Sequence, residues 1–347
     1  MRALVYDRFG GPLSVREVPA PDPPAGGVVV RVGASGVCRS DWHAWQGHDP
    51  YVVLPHVPGH ELAGTVAAVG AGVRRCAVGD RVTVPFVNAC GVCPVCAAGE
   101  HQVCPHQTQP GFTHWGSMAE FVVLHAADVN AVALPDDIDV ATAASLGCRY
   151  ATAFRAVVQV GSVRPGEWVA VHGCGGVGLS AVQIAAAAGA RVVAVDVSEG
   201  AVELAGAMGA EVGIVASADG STDVPVAVAD ATGGGVHLSL DALGAAVTCA
   251  SSVSCLRPRG RHVQVGLLPP ALGRPQVPWD VVIARELQLL GSHGMAAHSY
   301  PPLLQLIAAG RLDPGALVTR HLALDDAAAA LADVGASPGI AVVTAFA

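Results

Sequence analysis

The 347-residue sequence contains no lysine, and all 19 of its basic residues are arginine. A chain without lysine cannot form a Schiff base through a side-chain amine, and it cannot supply the lysine of a phosphate-binding P-loop. The arginines do not form a basic run, and the net charge is −9. Because binding to nucleic acid depends on clustered cations, we expect no nucleic-acid partner.

Aromatic residues are also scarce, at 4% of the chain, whereas Ala, Gly and Val are abundant, as is typical of α/β proteins. The first residues, MRALVYDRFGG, lack the apolar run of a secretory signal. The stretch from Trp168 to Gly189 carries no charge, but glycines interrupt it, so it predicts a strand, a turn and a helix and not a membrane span. We expect a cytoplasmic protein with no membrane partner.

The pattern of short apolar runs changes at about residue 150. Residues 1–149 contain Val-rich runs separated by Gly, Pro and Asp, which predict a β-rich domain. Residues 150–289 alternate strands with longer helical stretches, the pattern of βαβ units and a parallel sheet. Residues 290–347 return to shorter elements, and we expect them to complete the first domain.

The segment VAVHGCGGVGLSAVQIA carries a GxGxxG pattern after an apolar strand and at the start of a helix. Such a turn lets a pyrophosphate approach the free N–H groups of the helix N-terminus. The next strand ends in Asp196, at the distance expected for a carboxylate that binds a ribose, and no arginine follows to meet a 2′-phosphate. NAD is therefore favoured over NADP; the alternative is a glycine-tolerant turn without a ligand. The candidate cofactor-binding residues are Gly173, Gly175, Gly176, Gly178 and Asp196.

Four cysteines lie close together in the segment CGVCPVCAAGEHQVC. They are Cys90, Cys93, Cys96 and Cys104. Four thiolates this close in sequence can close a tetrahedral shell around Zn²⁺, with bonds of about 2.3 Å and no position left for a substrate. Such a site is structural. An iron–sulfur cluster and paired disulfides are the alternatives, and a reducing compartment disfavours disulfides.

Five segments together resemble the zinc-dependent medium-chain alcohol dehydrogenases, in the order that family has them. They are GVCRSDWHAWQG at 36–47, GHELAGTVAAVGAGV at 59–73, the four-cysteine segment, GCRYATAF at 147–154 and GCGGVG at 173–178. The resemblance covers essentially the whole chain. It implies an α/β fold: a Rossmann domain with a doubly wound parallel sheet at 150–289, and a β-rich, GroES-like catalytic domain with a structural zinc lobe at 88–106. It also implies a homodimer or homotetramer.

The resemblance further implies a second, catalytic zinc, held by Cys38, His60 and Cys148. These residues are far apart in sequence, and spacing alone does not identify them. Arg149 follows Cys148 where relatives often carry a small residue. Glu61, next to His60, is expected beside this zinc or among its ligands.

Other residues of the same motifs acquire expected roles from the resemblance. Ser40 matches the family's hydroxyl relay, and His43 matches its proton acceptor near the surface. Asp41 is expected to accept the second ring N–H of His60, as metal-bound histidines generally require. The large residues nearest the ligand motifs are expected to build part of an apolar alcohol pocket: Trp42, Trp45, Phe86 and Trp115.

Three further residues are expected to contact the cofactor. Arg39 matches the position of a cation over the pyrophosphate. Thr152 and Val177 match positions that pack against the nicotinamide ring.

The function that the resemblance implies is a zinc-dependent oxidoreductase that transfers a hydride between an alcohol and NAD to give an aldehyde or ketone, with two Zn²⁺ per chain. A polyol, amino-alcohol or formaldehyde-adduct dehydrogenase with the same chemistry is the alternative. A zinc-lobe interaction module without activity would lack the catalytic ligands, which are present here. The zinc-free quinone and enoyl reductases of the same superfold lack the cysteine lobe and the GHE motif.

Overall fold

A computed structural model describes residues 1–268 and 274–346 of the chain, which divides into two compact units. Unit 1 comprises Met1–Ala151, Gly294–Ala336 and the segment from Ile340 onward, and unit 2 comprises Thr152–His293 and Ser337–Gly339. These limits differ from the boundaries expected at 149/150 and 289/290, and residues 337–339 group with unit 2. Residues 269–273, within the expected 150–289 domain, and residue 347, at the end of 290–347, lie outside the described residues.

Unit 1 begins with short strands and short helices. The strands are β1 (Arg2–Val5), β2 (Ser14–Glu17), β3 (Val28–Val37), β4 (Glu61–Val69), β5 (Arg81–Thr83), β6 (Phe121–Leu124) and β7 (Val132–Ala133). The helices are α1 (Arg39–Trp45), α2 (Pro94–Ala97), α3 (Ala127–Asn130) and α4 (Val140–Ser145). After α4 the helix widens into a π turn at Leu146–Tyr150 and continues as α5 (Ala151–Phe154). Unit 2 begins within α5, which leads into a second π turn at Arg155–Val160.

Unit 2 alternates strands and helices. Its strands are β8 (Trp168–His172), β9 (Arg191–Asp196), β10 (Val212–Val215), β11 (Val236–Asp241), β12 (Leu256–Gln264) and β13 (Gln288–Gly291). Its helices are α6 (Gly176–Ala187), α7 (Glu199–Ala207), α8 (Val224–Thr232), α9 (Ala246–Ser254) and α10 (Trp279–Ala284). All neighbouring strands are parallel, in the order β10-β9-β8-β11-β12-β13. Numbered from β8, this is the 3-2-1-4-5-6 order of a doubly wound sheet, which confirms the expected Rossmann fold.

The last part of the chain returns to unit 1. It forms α11 (Tyr300–Ala308), β14 (Val318–Ala323), α12 (Ala327–Ala332) and β15 (Ile340–Ala345). Single 3₁₀ turns occur at His101–Val103, Ala297–Ser299, Pro314–Leu317 and Leu324–Asp326. β15 pairs with β3 in a sheet of order β14-β15-β3-β4-β5-β7, in which β6 also pairs with β3, while β1 and β2 form a separate pair. β3 is therefore the central strand of unit 1.

Branched aliphatic side chains from these strands and their connections form the core of unit 1. Val30, Leu62, Val84, Leu124 and Val343 are each at most 1% exposed. Burying each such side chain contributes about 1.5–3 kcal/mol, so the central sheet is a rigid base for the residues at its edge. None of the helices in the described part of the chain has the length and apolarity that crossing a bilayer requires.

Candidate metal centres and nucleotide turn

Four buried side chains meet at the end of β3 in unit 1. Cys38 directly follows β3, while His60 and Glu61 stand at the start of β4. β3 and β4 are antiparallel and place Gly36 opposite Glu61, so the register brings Cys38 close to His60. Cys148 comes from the π turn after α4, and the ligand atoms of all four residues lie within 4.8 Å of one another.

Close packing of the π turn carries Cys148 to this place. The carbonyl of Gly147 accepts a hydrogen bond from Phe86 N–H at 2.9 Å. A Cβ atom on residue 147 would come within 2.9 Å of the Val84 carbonyl oxygen, so glycine permits the approach. Tyr300 fixes the same turn from the return segment, because its hydroxyl donates to the Leu146 carbonyl at 3.0 Å. π turns of this kind are frequent at functional sites.

The His60 ring has one partnered and one unpartnered nitrogen. Its Nδ1 lies 2.8 Å from Asp41 Oδ1, so the contact expected from the sequence is present. Asp41, which is 0% exposed, also accepts hydrogen bonds from the N–H groups of Gly59 at 2.9 Å and Cys38 at 3.2 Å. His60 Nε2 is buried and has no hydrogen-bond partner among the described residues. An imidazole nitrogen left in this state beside two thiols fits a metal ligand.

The protonation of the two thiols is coupled through the hydrogen bond that they share. A hydrogen bond shared with Cys148 lowers the pKa of Cys38 well below its ordinary value, and His60 and Arg149 reinforce the shift against the effect of burial. The same shared bond, with burial, raises the pKa of Cys148. Burial alone lowers the pKa of His60, but Asp41 and Cys38 outweigh it and hold that pKa above its usual range. The donor set of two sulfurs and one imidazole nitrogen is one that Zn²⁺ accepts with a position left for substrate.

Glu61 forms an ion pair with Arg149, the residue that follows Cys148. Arg149 Nε donates to Glu61 Oε1 at 2.8 Å, and its Nη2 donates to Glu61 Oε2. Both residues are buried. Burial lowers the pKa of Arg149, but the negative charges of Glu61 and Cys38 raise it by a larger amount. The net effect is a raised pKa, so the guanidinium stays charged. The pair occupies both carboxylate oxygens of Glu61, and nothing in the sequence pattern indicated it.

Aromatic rings border the imidazole of His60. The ring centres of Phe112 and Phe86 lie 5.2 Å and 6.3 Å from that of His60. Phe86 was among the expected pocket residues, whereas Phe112 was missed because no ligand motif contains it. Trp45 is partly buried against a core cluster that includes Phe112, and it donates its indole N–H to the Gly11 carbonyl at 2.9 Å. Trp42, another expected pocket residue, packs edge-on against the rings of His43 and His48. Trp115 donates its indole N–H to the Pro55 carbonyl.

The four cysteines of the lobe form a second sulfur cluster. Sγ–Sγ distances are 3.5 Å for Cys93–Cys96, 3.6 Å for Cys90–Cys104, 3.8 Å for Cys93–Cys104 and 3.9 Å for Cys90–Cys96. Sulfurs at 2.3 Å from the centre of a tetrahedron stand about 3.8 Å apart, so the arrangement fits a tetrahedral Zn²⁺. All ten cysteines of the chain are free, which argues against the disulfide alternative.

Local structure explains how the lobe closes. Cys93 caps α2 by accepting from Cys96 N–H, and the next residue is a proline that suits the first helical position. Asn88 and Thr108 exchange backbone hydrogen bonds of 2.8 Å and 2.9 Å where the lobe begins and ends. Asn130 adds bonds of 2.8 Å and 2.9 Å to the N–H and carbonyl of Ala89.

In unit 2 the glycine turn connects β8 to α6. Gly173 has φ +89°, a conformation that glycine adopts without strain. A Cβ atom on Gly178 would collide with the Gly173 carbonyl, so this position also needs glycine. α6 begins at Gly176 with Gly175 as its N-cap, and the first N–H groups of a helix have no partner within it. The turn has the features of a pyrophosphate-binding site.

Asp196 ends β9 beside this turn. Its carboxylate accepts hydrogen bonds from the N–H groups of Cys174 at 2.6 Å and Ser198 at 2.9 Å. The side chain is half-buried, so solvent still reaches it. These bonds fix the acid at the carboxyl end of the parallel sheet, where doubly wound folds bind ligands.

The remaining expected site residues lie in α1, α5 and α6. Ser40 and His43 are half-buried in α1, three residues apart and thus on neighbouring turns of one face. Arg39 is exposed at the start of α1, and its role at the pyrophosphate stays a prediction. Thr152 is 7% exposed with a hydroxyl that has no hydrogen-bond partner in the described part of the chain, and Val177 is half-buried at the start of α6.

Comparison with known proteins gives concordant matches. The sequence profile described as "Alcohol dehydrogenase GroES-like domain" matches residues 24–136, and the profile "Zinc-binding dehydrogenase" matches residues 176–309. An alcohol dehydrogenase of Geobacillus stearothermophilus is 41% identical over 201 residues, 57% of this chain and 58% of that protein. The match therefore spans less than two thirds of that relative.

Longer matches cover most of the chain. Alcohol dehydrogenase 2 of Caenorhabditis elegans is 33% identical over 296 residues, 84% of this chain and 81% of its own. The crystal structure of an NAD-dependent alcohol dehydrogenase is 33% identical and covers 100% of both chains, with a TM-score of 0.88.

Proposed function

Because the chain belongs to the zinc-dependent medium-chain alcohol dehydrogenase family, we propose that it transfers a hydride between an alcohol and NAD to give an aldehyde or ketone. One observation carries the proposal. The sulfurs of Cys38 and Cys148 lie beside the Nε2 atom of His60, which is buried without a partner in the described part of the chain. We also propose that each chain binds two Zn²⁺, one at this cluster and one at the cysteine lobe.

Bound Zn²⁺ would supply a Lewis acid that lowers the pKa of an alcohol hydroxyl, and bound NAD would supply the hydride acceptor. The protein contributes the fixed donor set. Cys38 and Cys148 would hold the metal as thiolates, and His60 would hold it through Nε2. Asp41 keeps the other ring proton on Nδ1 and so fixes the orientation of the imidazole. Arg149 keeps Glu61 beside the ligand set as a paired carboxylate.

The proton of the alcohol leaves through α1 in this proposal. Ser40 Oγ accepts it and passes its own proton to the ring of His43. Burial lowers the pKa of His43, and His48 and Arg39 add to the shift against Cys38, so the ring is neutral near pH 7 and ready to accept. In unit 2, Asp196 would bind the ribose hydroxyls of NAD, and the N–H groups at the start of α6 would bind its pyrophosphate. Thr152 and Val177 are proposed to contact the nicotinamide.

A substrate screen tests the proposal. Purified protein is incubated with a panel of primary and secondary alcohols, and separately with aldehydes and ketones, while NADH absorbance is followed. The metal content of the same sample is measured. Cys38→Ser should abolish turnover and leave NAD binding intact, whereas Cys249→Ser, a buried cysteine of α9, should retain turnover. A zinc-loaded protein that oxidises no alcohol and reduces no carbonyl in the panel overturns the proposal.

A further inference from the structure

His43 has a second histidine as its partner. The Nδ1 atoms of His43 and His48 lie 2.9 Å apart. His48 N–H donates to the His43 carbonyl at 3.0 Å, and Gly47, with φ +79°, makes the tight turn that brings residue 48 back. Trp42 stands edge-on to both rings, with ring centres 5.1 Å and 5.9 Å away. The backbone hydrogen bond and the indole of Trp42 therefore hold the two imidazole rings next to each other.

The geometry assigns a different task to each nitrogen. Two Nδ1 atoms at this distance share one proton, so one ring donates while the other accepts. In the tautomer in which His43 donates through Nδ1, its Nε2 can take up a further proton and its Nδ1 can release one. His43 is half-buried, whereas His48 is exposed to solvent. The pair thus connects a partly enclosed ring to water.

We propose that His48 receives the proton that alcohol oxidation delivers to His43, so that the two histidines form a relay whose outer end is His48. This inference rests on the proposed function. One proton arrives at His43 Nε2, the proton on His43 Nδ1 moves to His48 Nδ1, and His48 releases its Nε2 proton to water. No electron moves in these steps, and each turnover exports one proton. Tautomer exchange through water restores the starting pair.

The surroundings favour outward transfer. The titratable and charged groups that act on His43 are His48, Arg39 and Cys38. Burial, His48 and Arg39 lower the pKa of His43, so its ring does not retain the proton. Asp49, next to His48, accepts a hydrogen bond from the Tyr51 N–H at 2.8 Å.

The test compares His48→Gln with the wild type and with His321→Gln, an exposed histidine of β14 that serves as control. The rate constant kcat for alcohol oxidation is measured from about pH 6 to pH 9, with and without added imidazole. We expect His48→Gln to lower kcat about tenfold near pH 6, to approach the wild type at high pH where hydroxide accepts the proton, and to regain activity with imidazole. KM for the alcohol and the control variant should be unchanged.

The outcomes separate this inference from the function on which it rests. Wild-type protein that oxidises no alcohol overturns both. Active wild type with a His48→Gln pH profile that matches it overturns the relay alone, and so does a loss of activity that imidazole does not rescue at any pH. Thermal melting of His48→Gln and of a second variant, His48→Asn, checks folding. In ¹⁵N-detected titrations, His43 should titrate at a different pH once His48 is replaced, and an unchanged titration also contradicts the pairing.

Discussion

The Nε atom of Arg149 lies 2.8 Å from Glu61 Oε1, at a place where Arg149 is 6% exposed and Glu61 is 0% exposed. Arg149 also donates through Nη1 to the Val37 carbonyl at 3.1 Å, and so connects the π turn to the end of β3. The ion pair therefore supports both strands that carry the candidate catalytic ligands. Removing only the cation would leave a buried carboxylate beside two sulfurs.

Replacement of Arg149 tests this contact. Arg149→Met should lower the free energy of unfolding by about 3–5 kcal/mol. Burial raises the pKa of Glu61 to about 7 even with Arg149 beside it, so without the cation the carboxyl group must either stay unpaired or take up a proton. The double variant Arg149→Met/Glu61→Gln should recover part of the loss. Urea denaturation measures both, with Arg320→Met, at an exposed arginine of β14, as the control. A loss no larger than that of the control would show that the pair is energetically neutral.

The sulfur lobe predicts a metal-dependent stability. Cys93→Ser should lose one of the two proposed zinc ions and lower the melting temperature, since a structural zinc contributes folding free energy. Metal analysis by mass spectrometry and thermal melting measure the two effects. Cys76→Ser, outside both sulfur clusters, should change neither. Full zinc content in the Cys93 variant would mean that the lobe does not bind the ion.

Asp41 should control metal affinity at the other cluster. Asp41→Asn keeps the size of the side chain but removes the charge that faces His60 Nδ1. We expect the affinity for the catalytic metal to fall about 10- to 100-fold while the lobe keeps its ion. Competition with a chromophoric chelator measures this affinity. Asp139→Asn, which alters the cap of α4, is the matched control, and equal effects of the two variants would contradict the prediction.

Asp196 should set the preference between the two nicotinamide cofactors. Asp196→Ala should reduce the ratio of kcat/KM for NAD over NADP about tenfold or more, because it removes charge-assisted hydrogen bonds to the ribose and a charge that repels a 2′-phosphate. Initial rates with both cofactors give the ratio. Glu199→Ala, at an exposed acid in α7, should leave the ratio as it is. An unaltered ratio of kcat/KM in the Asp196 variant would contradict the proposed contact between Asp196 and the ribose.

His172 predicts an acid sensitivity of unit 2. Burial lowers the pKa of this ring to about 4, with Asp241 opposing the shift and His262 adding to it. The unfolded chain takes up the proton below about pH 6.5, whereas the folded chain does so only near pH 4. Stability should therefore fall as the pH drops between these values, by up to about 3 kcal/mol, and should not change from this cause above them.

Denaturation of the wild type and of His172→Gln across this pH range checks the prediction. The variant should show a shallower decline of unfolding free energy with falling pH. His321→Gln, whose ring is exposed, should follow the wild type. Parallel curves for the wild type and the His172 variant would exclude this residue as the origin of the acid sensitivity.

The features that the sequence predicts well are local. The glycine turn needs Gly173 and Gly178 for steric reasons that act within a few residues, and the cysteine lobe is a short contiguous segment. The parallel sheet follows from the alternation of apolar strands and helices, because each βαβ crossover has few ways to pack. The parallel sheet is therefore predictable from the order of its apolar segments, whereas the doubly wound arrangement was expected through the family resemblance.

The features that local sequence patterns do not reveal are non-local contacts. Cys38, His60 and Cys148 were proposed together only through the family resemblance, since their proximity depends on the register of β3 with β4 and on the packing of the π turn. The pairing of Arg149 with Glu61 depends on the same register, and no period in the sequence encodes it. His48 was overlooked because its contact with His43 arises from the turn at Gly47, beyond the end of α1.

Asp41 joins three parts of unit 1 by bonds that involve protein atoms alone: the backbone of Cys38, the backbone of Gly59 and the ring of His60. Two of the three proposed ligands are consequently aimed before an ion arrives. The conformational entropy of arranging them is lost when the chain folds and not when the metal is captured. Zinc would then bind a preorganised site. Its binding free energy would reflect mainly the strength of the metal–ligand bonds, because little of that free energy would be needed to rearrange the polypeptide.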